Sequence, residues 1–201
     1  MNCKNVIFDY GNTIVEFEPM NIVKRFGITD NADANILCEK VFDRKYWDKL
    51  DSDDISQEEF INGVLSELPQ RLHSIATDIC NNWITNLPFI QGMDELIYKL
   101  KQDGYKIYLL SNISKHFAEN SDKIEIFKQF DGLVFSGAIG LIKPNKDIFE
   151  YILHKYNLIP SETVFIDDNK DNVNTAERIG VKSLLFDGNS ENAEQFIYLL
   201  R

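Results

Sequence analysis

Five short apolar runs constrain what this chain can fold into: VIF at 6–8, IYLL at 107–110, LVF at 133–135, TVFI at 163–166 and SLLF at 183–186. None alternates apolar with polar residues, as a strand with one wet face would. Continuous runs of this length suit strands covered on both faces, the condition met in a parallel sheet with helices on each side. The spacers agree. Met93, Leu96, Ile97 and Leu100 recur at helical spacing before IYLL, Ile148, Phe149, Ile152 and Leu153 before TVFI, and Val173, Ala176 and Ile179 before SLLF. Gly104 and Gly180 stand where those helices should stop. The expectation is an α/β protein with a Rossmann-like, doubly wound parallel sheet.

Roughly ninety residues separate the first run from the second, far more than one crossover needs, and they carry helical rather than strand patterning. In DISQEEF, Ser56 can cap a helix, Glu59 can return the capping-box bond and Ile55 can staple onto Phe60. Leu72, Ile75, Ile79 and Trp83 mark a further helix, ended near Pro88. The chain therefore divides into a discontinuous α/β core, 1–15 and 87–201, and an inserted all-helical segment, 16–86.

Twenty-one basic against 32 acidic residues give a formal net charge of -11, a field that repels nucleic acid and anionic lipid. A small anionic substrate survives this test if its site has a local cation. Cys3, Cys38 and Cys80 form no CxxC pair, so neither a disulfide framework nor a thiolate zinc site is indicated. No leader-like segment and no run of about 18 apolar residues occurs, and the expected location is cytoplasmic.

Ligands of open parallel sheets bind beyond the carboxyl ends of the strands, so the residues following each run carry the functional information. Asp9 follows the first run, Ser111 and Asn112 the second, Lys143 the loop after the third, and Asp167 and Asp168 the fourth. Three carboxylates gathered at one edge repel unless a hard divalent cation such as Mg²⁺ joins them, and that cation attracts phosphate. Lys143, the Ser111 hydroxyl and N–H groups at strand ends would bind phosphoryl oxygens. These parts make a phosphoryl-transfer site.

The motifs FDYGNT, LLSN, GLIKP and FIDDNKDN, in that order after the right strands, resemble those of the haloacid dehalogenase superfamily hydrolases. The resemblance implies that Asp9 attacks phosphorus to form an aspartyl-phosphate, while Ser111 and Lys143 hold the transferring group. Tyr10, Gly11 and Asn112 would complete the phosphate-binding set. Asp168 would ligate Mg²⁺ with Asp9 and the Gly11 carbonyl, Asp167 would orient or assist, and Asn172 matches a supporting position behind them. The helical insert resembles the family's C1-type cap, which implies a lid over the site.

One departure stands out. Most family phosphatases place a second Asp two residues after the nucleophile, as proton donor to the leaving oxygen; this chain has Gly11. General acid catalysis contributes about 10² to 10⁴-fold, so its loss penalises alkoxide leaving groups most. FDYGN and WDKLDSDDISQEEF resemble the branch containing bacterial α-glucose-1-phosphate phosphatases. The expected substrate is a small phosphomonoester, a sugar phosphate such as a hexose 1-phosphate, with a cap residue or water as alternative proton source.

Two rivals remain: a metal-free haloacid dehalogenase, against which Asp167 and Asp168 count, and a catalytically silent binding or regulatory protein, made plausible by Gly11. Tyr46, Trp47, Phe17 and Met20 are candidates for the substrate side of the insert or for its core. The acidic run DKLDSDD reads as a solvated face and turn. His73, His116 and His154 carry no metal-ligand spacing.

Overall fold

A computed structural model describes residues 3–85 and 87–200; positions 1, 2, 86 and 201, which bound the expected segments, lie outside them. The elements in chain order are β1 (Asn5–Phe8), α1 (Pro19–Arg25), α2 (Asn31–Val41), α3 (Arg44–Asp51), α4 (Gln57–Ser66), α5 (His73–Asn82), α6 (Met93–Gln102), β2 (Lys106–Ser111) and α7 (Lys115–Glu119). There follow β3 (Gly132–Phe135), α8 (Ser136–Ile139), α9 (Lys146–Lys155), β4 (Thr163–Asp167), α10 (Lys170–Arg178), β5 (Lys182–Leu185) and α11 (Ser190–Leu199). The strands form one parallel sheet in the order β3-β2-β1-β4-β5.

Alternate residues of the central strands enter opposite cores. Val6 and Phe8 of β1, Ile107 and Leu109 of β2, and Val164 and Ile166 of β4 join Leu96, Ile97 and Leu100 of α6 and Ile197 of α11. Ile7, Tyr108, Leu110 and Phe165 point the other way, onto Ile148, Phe149 and Ile152 of α9. Both faces of these strands are dry, which explains runs without alternation. Each fully buried Phe here, Phe8 and Phe165 among them, is worth about 1.5–3 kcal/mol of burial.

The expectation of two covered faces fails at β5. It is an edge strand, partly solvated throughout, with Leu185 46% exposed. An edge strand has a neighbour on one side only, so its apolar run reflects contact with one core plus β-propensity.

The segment between β1 and α6 is helical, and α1–α5 bury a separate core that includes Val23, Leu37, Trp47, Phe60 and Ile79. The capping box that opens α4 is present: Glu59 N–H donates to Ser56 Oγ at 3.1 Å, and Ser56 N–H to Glu59 Oε2 at 2.8 Å. Helix α5 stops at Asn82, short of Pro88. The chain beyond must run extended there, because Glu16 N–H donates to Pro88 O at 2.9 Å and Ile90 N–H to Ile14 O at 3.0 Å. The entering and leaving segments are thus paired side by side, with Val15 bridged to Phe89.

Gly137 in α8 is a close-approach point. A Cβ there would lie 2.5 Å from Lys115 N and 2.8 Å from Ser114 C, both main-chain atoms just beyond β2. Gly137→Ala should therefore cost about 1–3 kcal/mol, read as a lower urea midpoint at unchanged slope. An unchanged midpoint would mean the 113–115 loop yields freely.

Candidate active site

The order of strands reverses at β1: the chain proceeds outward through β2 and β3, then returns to β4 on the other side. That switch point is where an open α/β sheet leaves a crevice beyond the strand ends. Asp9 follows β1 there, its N–H donating to Ile166 O at 2.9 Å. Asp167 ends β4, and Ser111 ends β2 on the opposite flank.

Lys143 links the two acidic strand ends. Its Nζ lies 2.8 Å from Asp9 Oδ1 and 2.7 Å from Asp167 Oδ2, with its side chain 2% exposed. Asn112 sets the height of the lysine, since its Oδ1 accepts from Lys143 N–H at 2.8 Å and its Nδ2 donates to Lys143 O at 2.9 Å. Asp167 is wholly buried and accepts from Asn172 Nδ2 at 3.0 Å on each oxygen and from Asn169 N–H at 2.8 Å. Asp167 and Asn172 hold Lys143 in place from behind.

The charges are mutually adjusted. Burial pushes the Asp9 carboxyl up to about 7, against the attraction of Lys143 and with the repulsion of Asp167. Burial works against the Lys143 ammonium too, but the two carboxylates outweigh it and its pKa lies above the ordinary lysine value. Asp168, raised by desolvation and then by Asp167, opens to the cleft. One oxygen from each of Asp9, Asp167 and Asp168 lies within 4.8 Å of the others. With Asp167 committed to Lys143 and Asn172, the free oxygens belong to Asp9 and Asp168. Two convergent carboxylates beside a main-chain turn fit a small, hard divalent cation.

A cleft of about 490 Å³ opens over these groups. Asp9, Gly11, Ser111, Asn112, Lys143, Asp168 and Asn172 line it from the sheet edge, and Phe17, Trp47, Trp83 and Asp51 from the insert side. The three aromatic rings pack edge to face, with centroids 4.9–5.7 Å apart. A larger cavity, about 760 Å³, lies between α5 and α7 and holds none of the strand-end carboxylates or Lys143.

The side-chain placements narrow several expectations. The Tyr10 ring is buried 5.1 Å from that of Phe127, so only its main chain is available to a phosphate. The Asn112 side chain is taken up by Lys143, which leaves its main chain for that role. Tyr46 turns away to donate to Glu67 at 2.7 Å, and Met20 packs on the insert's core. Gly11 is not required sterically: a Cβ there would meet Phe17 at an ordinary 3.5 Å.

The largest correction concerns DKLDSDD. Asp51, read as part of a solvated turn, is 7% exposed and lines the cleft, and its Oδ1 is buried with no hydrogen-bond partner. Burial pushes its carboxyl up to about 7, opposed by Arg44 and reinforced by Asp48 and Asp9. Its spacing from Trp47, one helical turn, was the available signal.

A parallel α/β sheet thus carries an Asp–Lys–Asp set at its switch point, Asp9 and Asp167 bridged by Lys143. Residues 3–180 match the haloacid dehalogenase-like hydrolase family, and the chain belongs to it. D-Ribitol-5-phosphate phosphatase of Bacteroides thetaiotaomicron is 25% identical over 189 residues, 90% of each chain. A HAD-like family hydrolase from Porphyromonas gingivalis superposes with a TM-score of 0.73 at 26% identity, covering 100% of this chain and 99% of that one. An Asp12Ala mutant of a HAD family enzyme from B. thetaiotaomicron, in complex with magnesium and inorganic phosphate, superposes with a TM-score of 0.73 at 20% identity, covering 97% and 99%. Among the described residues no helix is long and apolar enough to cross a membrane.

Proposed function

We propose that the protein is a Mg²⁺-dependent phosphatase of a small phosphomonoester, working through an aspartyl-phosphate on Asp9. The observation that carries this is the convergence of Asp9 and Asp168 within ion-sharing distance, with Lys143 2.8 Å from the nucleophile. Named relatives support the substrate class: one is a D-ribitol-5-phosphate phosphatase and another, from Thermotoga maritima, a phosphorylated carbohydrates phosphatase.

In this reading Asp9 Oδ attacks phosphorus in line with the ester oxygen, and the aspartyl-phosphate is then hydrolysed by water. Lys143 and Ser111 hold the phosphoryl oxygens, with main-chain N–H groups of Tyr10, Gly11 and Asn112 around them. Asp167 and Asn172 keep the ammonium aimed. Mg²⁺, held by Asp9, Asp168 and the Gly11 carbonyl, would neutralise the paired carboxylates and withdraw charge from the phosphoryl group. The segment 16–86 acts as the lid, and its aromatic wall of Phe17, Trp47 and Trp83 offers a face for a sugar ring.

Gly11 offers no proton, so either the substrate carries a good leaving oxygen or the proton comes from elsewhere in the cleft. The first alternative favours a hexose 1-phosphate, whose leaving oxygen is a hemiacetal. Purified protein with Mg²⁺ is expected to hydrolyse hexose 1-phosphates at least as well as the 6-phosphate isomers, and to lose that activity in EDTA. Much faster turnover of the 6-phosphate would remove the 1-phosphate assignment. Failure to hydrolyse even acetyl or aryl phosphates would favour the silent binding protein.

A further inference from the structure

Among the described residues, Asp51 is the one carboxylate with a buried, unpartnered oxygen, and it lines the cleft. The strand-end groups are each spoken for: Lys143 is shared by Asp9 and Asp167, Asn172 is on Asp167, and Asp9 and Asp168 converge where Mg²⁺ would be held. Asp51 Oδ1 has no partner, although the residue is 93% buried and faces the same cavity. A buried polar atom left unsatisfied costs about 1–3 kcal/mol, and such a cost persists where the group has work to do. The residue is firmly placed: α3 ends at it, and the Ser136 hydroxyl donates to its main-chain oxygen at 2.7 Å.

The cleft lacks a proton donor at position 11, where a side chain would fit, and carries a carboxyl with no partner on the opposite wall. We propose that Asp51, supplied by the helical insert, is the general acid and base of the reaction. This rests on the phosphatase reading above. In the first step a lone pair of Asp9 forms the P–O bond, the ester P–O bond breaks, and its electron pair takes the Asp51 proton, releasing an alcohol and leaving Asp51 as carboxylate. In the second, Asp51 accepts a proton from the attacking water, phosphorus transfers to that oxygen, and the electron pair of the breaking bond returns to Asp9. Inorganic phosphate leaves with Asp51 protonated again.

A proton held near neutrality suits this task. The charged groups that face Asp51 are Arg44 and Asp48 on its own helix and Asp9 from the sheet edge, and its carboxyl stands at about 7 between them. A proton source here also opens the site to alkyl leaving groups, so polyol and hexose terminal phosphates become substrates alongside 1-phosphates.

The test compares wild type, Asp51→Asn and Asp9→Asn, with Mg²⁺, on a nitroaryl phosphate and on a hexose 6-phosphate. Asp51→Asn should lose about 10²-fold in kcat/KM on the hexose ester, yet stay within about threefold of wild type in kcat/KM on the nitroaryl ester, a constant that ends at release of a leaving group needing no proton, while kcat falls on both esters because the shared second step loses its base. Its remaining nitroaryl activity certifies folding. The alkaline limb of the hexose-ester pH profile should vanish in the same variant. Equal losses in kcat/KM on both esters, or no loss on either, would overturn the assignment. Asp9-dependent nitroaryl hydrolysis by wild type tests the phosphatase reading separately; its absence would remove both.

Discussion

Asp9→Asn is expected to abolish turnover, by at least about 10³-fold, while leaving the fold intact or firmer. The amide oxygen is uncharged and far less nucleophilic than the carboxylate that forms the acyl-phosphate bond, and residual activity must come from direct attack by water held over Lys143. The stability expectation comes from the buried charge. Asp9 and Asp167 share one ammonium, and burial holds the Asp9 carboxyl well above its ordinary value. A carboxyl whose folded pKa is raised destabilises the fold as pH climbs from about 4 through the folded value of about 7. Removing it takes that penalty away, so the Tm of Asp9→Asn measured without Mg²⁺ should match or exceed wild type at pH 8. A large drop in Tm with the lost activity would instead make Asp9 a structural partner of Lys143.

Lys143→Met should cost the most in stability. The side chain has similar length, but the substitution leaves Asp9 and Asp167 buried without a cation, a situation that costs about 3–5 kcal/mol. The pH sign follows. Without the ammonium, which pulls the Asp9 carboxyl down, that carboxyl moves further upward in the folded state, which then binds more protons than the unfolded chain. Stability therefore falls as pH rises, and the urea midpoint of the variant should be lowest near pH 8 and recover toward pH 5. Mg²⁺ should restore part of the loss by giving Asp9 another counter-charge. A variant as stable as wild type at pH 8 would mean that water or rearrangement solvates the pair, and that Lys143 is not what holds the edge together.

The sheet was legible because both faces of its central strands are dry: VIF, IYLL and TVFI carry no charged residue, and their one aliphatic hydroxyl, that of Thr163, is buried and bonded to Ile159 O. SLLF gave the right strand and the wrong surroundings, since an edge strand such as β5 can be as apolar in sequence as a central one. At the site, Asp9, Ser111, Asp167 and Asp168 could be read because each ends or directly follows a strand, and Lys143 because it lies in the loop beyond β3 and α8, on the edge where strand ends converge by topology. Asp51 could not be found that way. It arrives on a helix of the insert, and whether an acidic residue in DKLDSDD faces water or the cleft depends on how α3 lies over the sheet. Tyr10 and Asn112 show a related limit, since adjacency to the nucleophile or to Ser111 does not fix which way a side chain points.

The paired crossings between insert and core, Glu16 to Pro88 and Ile14 to Ile90, have a mechanical consequence. A single linker would act as a swivel, whereas two neighbouring strands tied by main-chain bonds behave as a strap hinge, pliant about one axis and stiff in torsion. In the lid reading proposed above, the rim bearing Trp47 and Asp51 would swing toward the strand ends along one arc, and each closing would return the same groups to the same facing position.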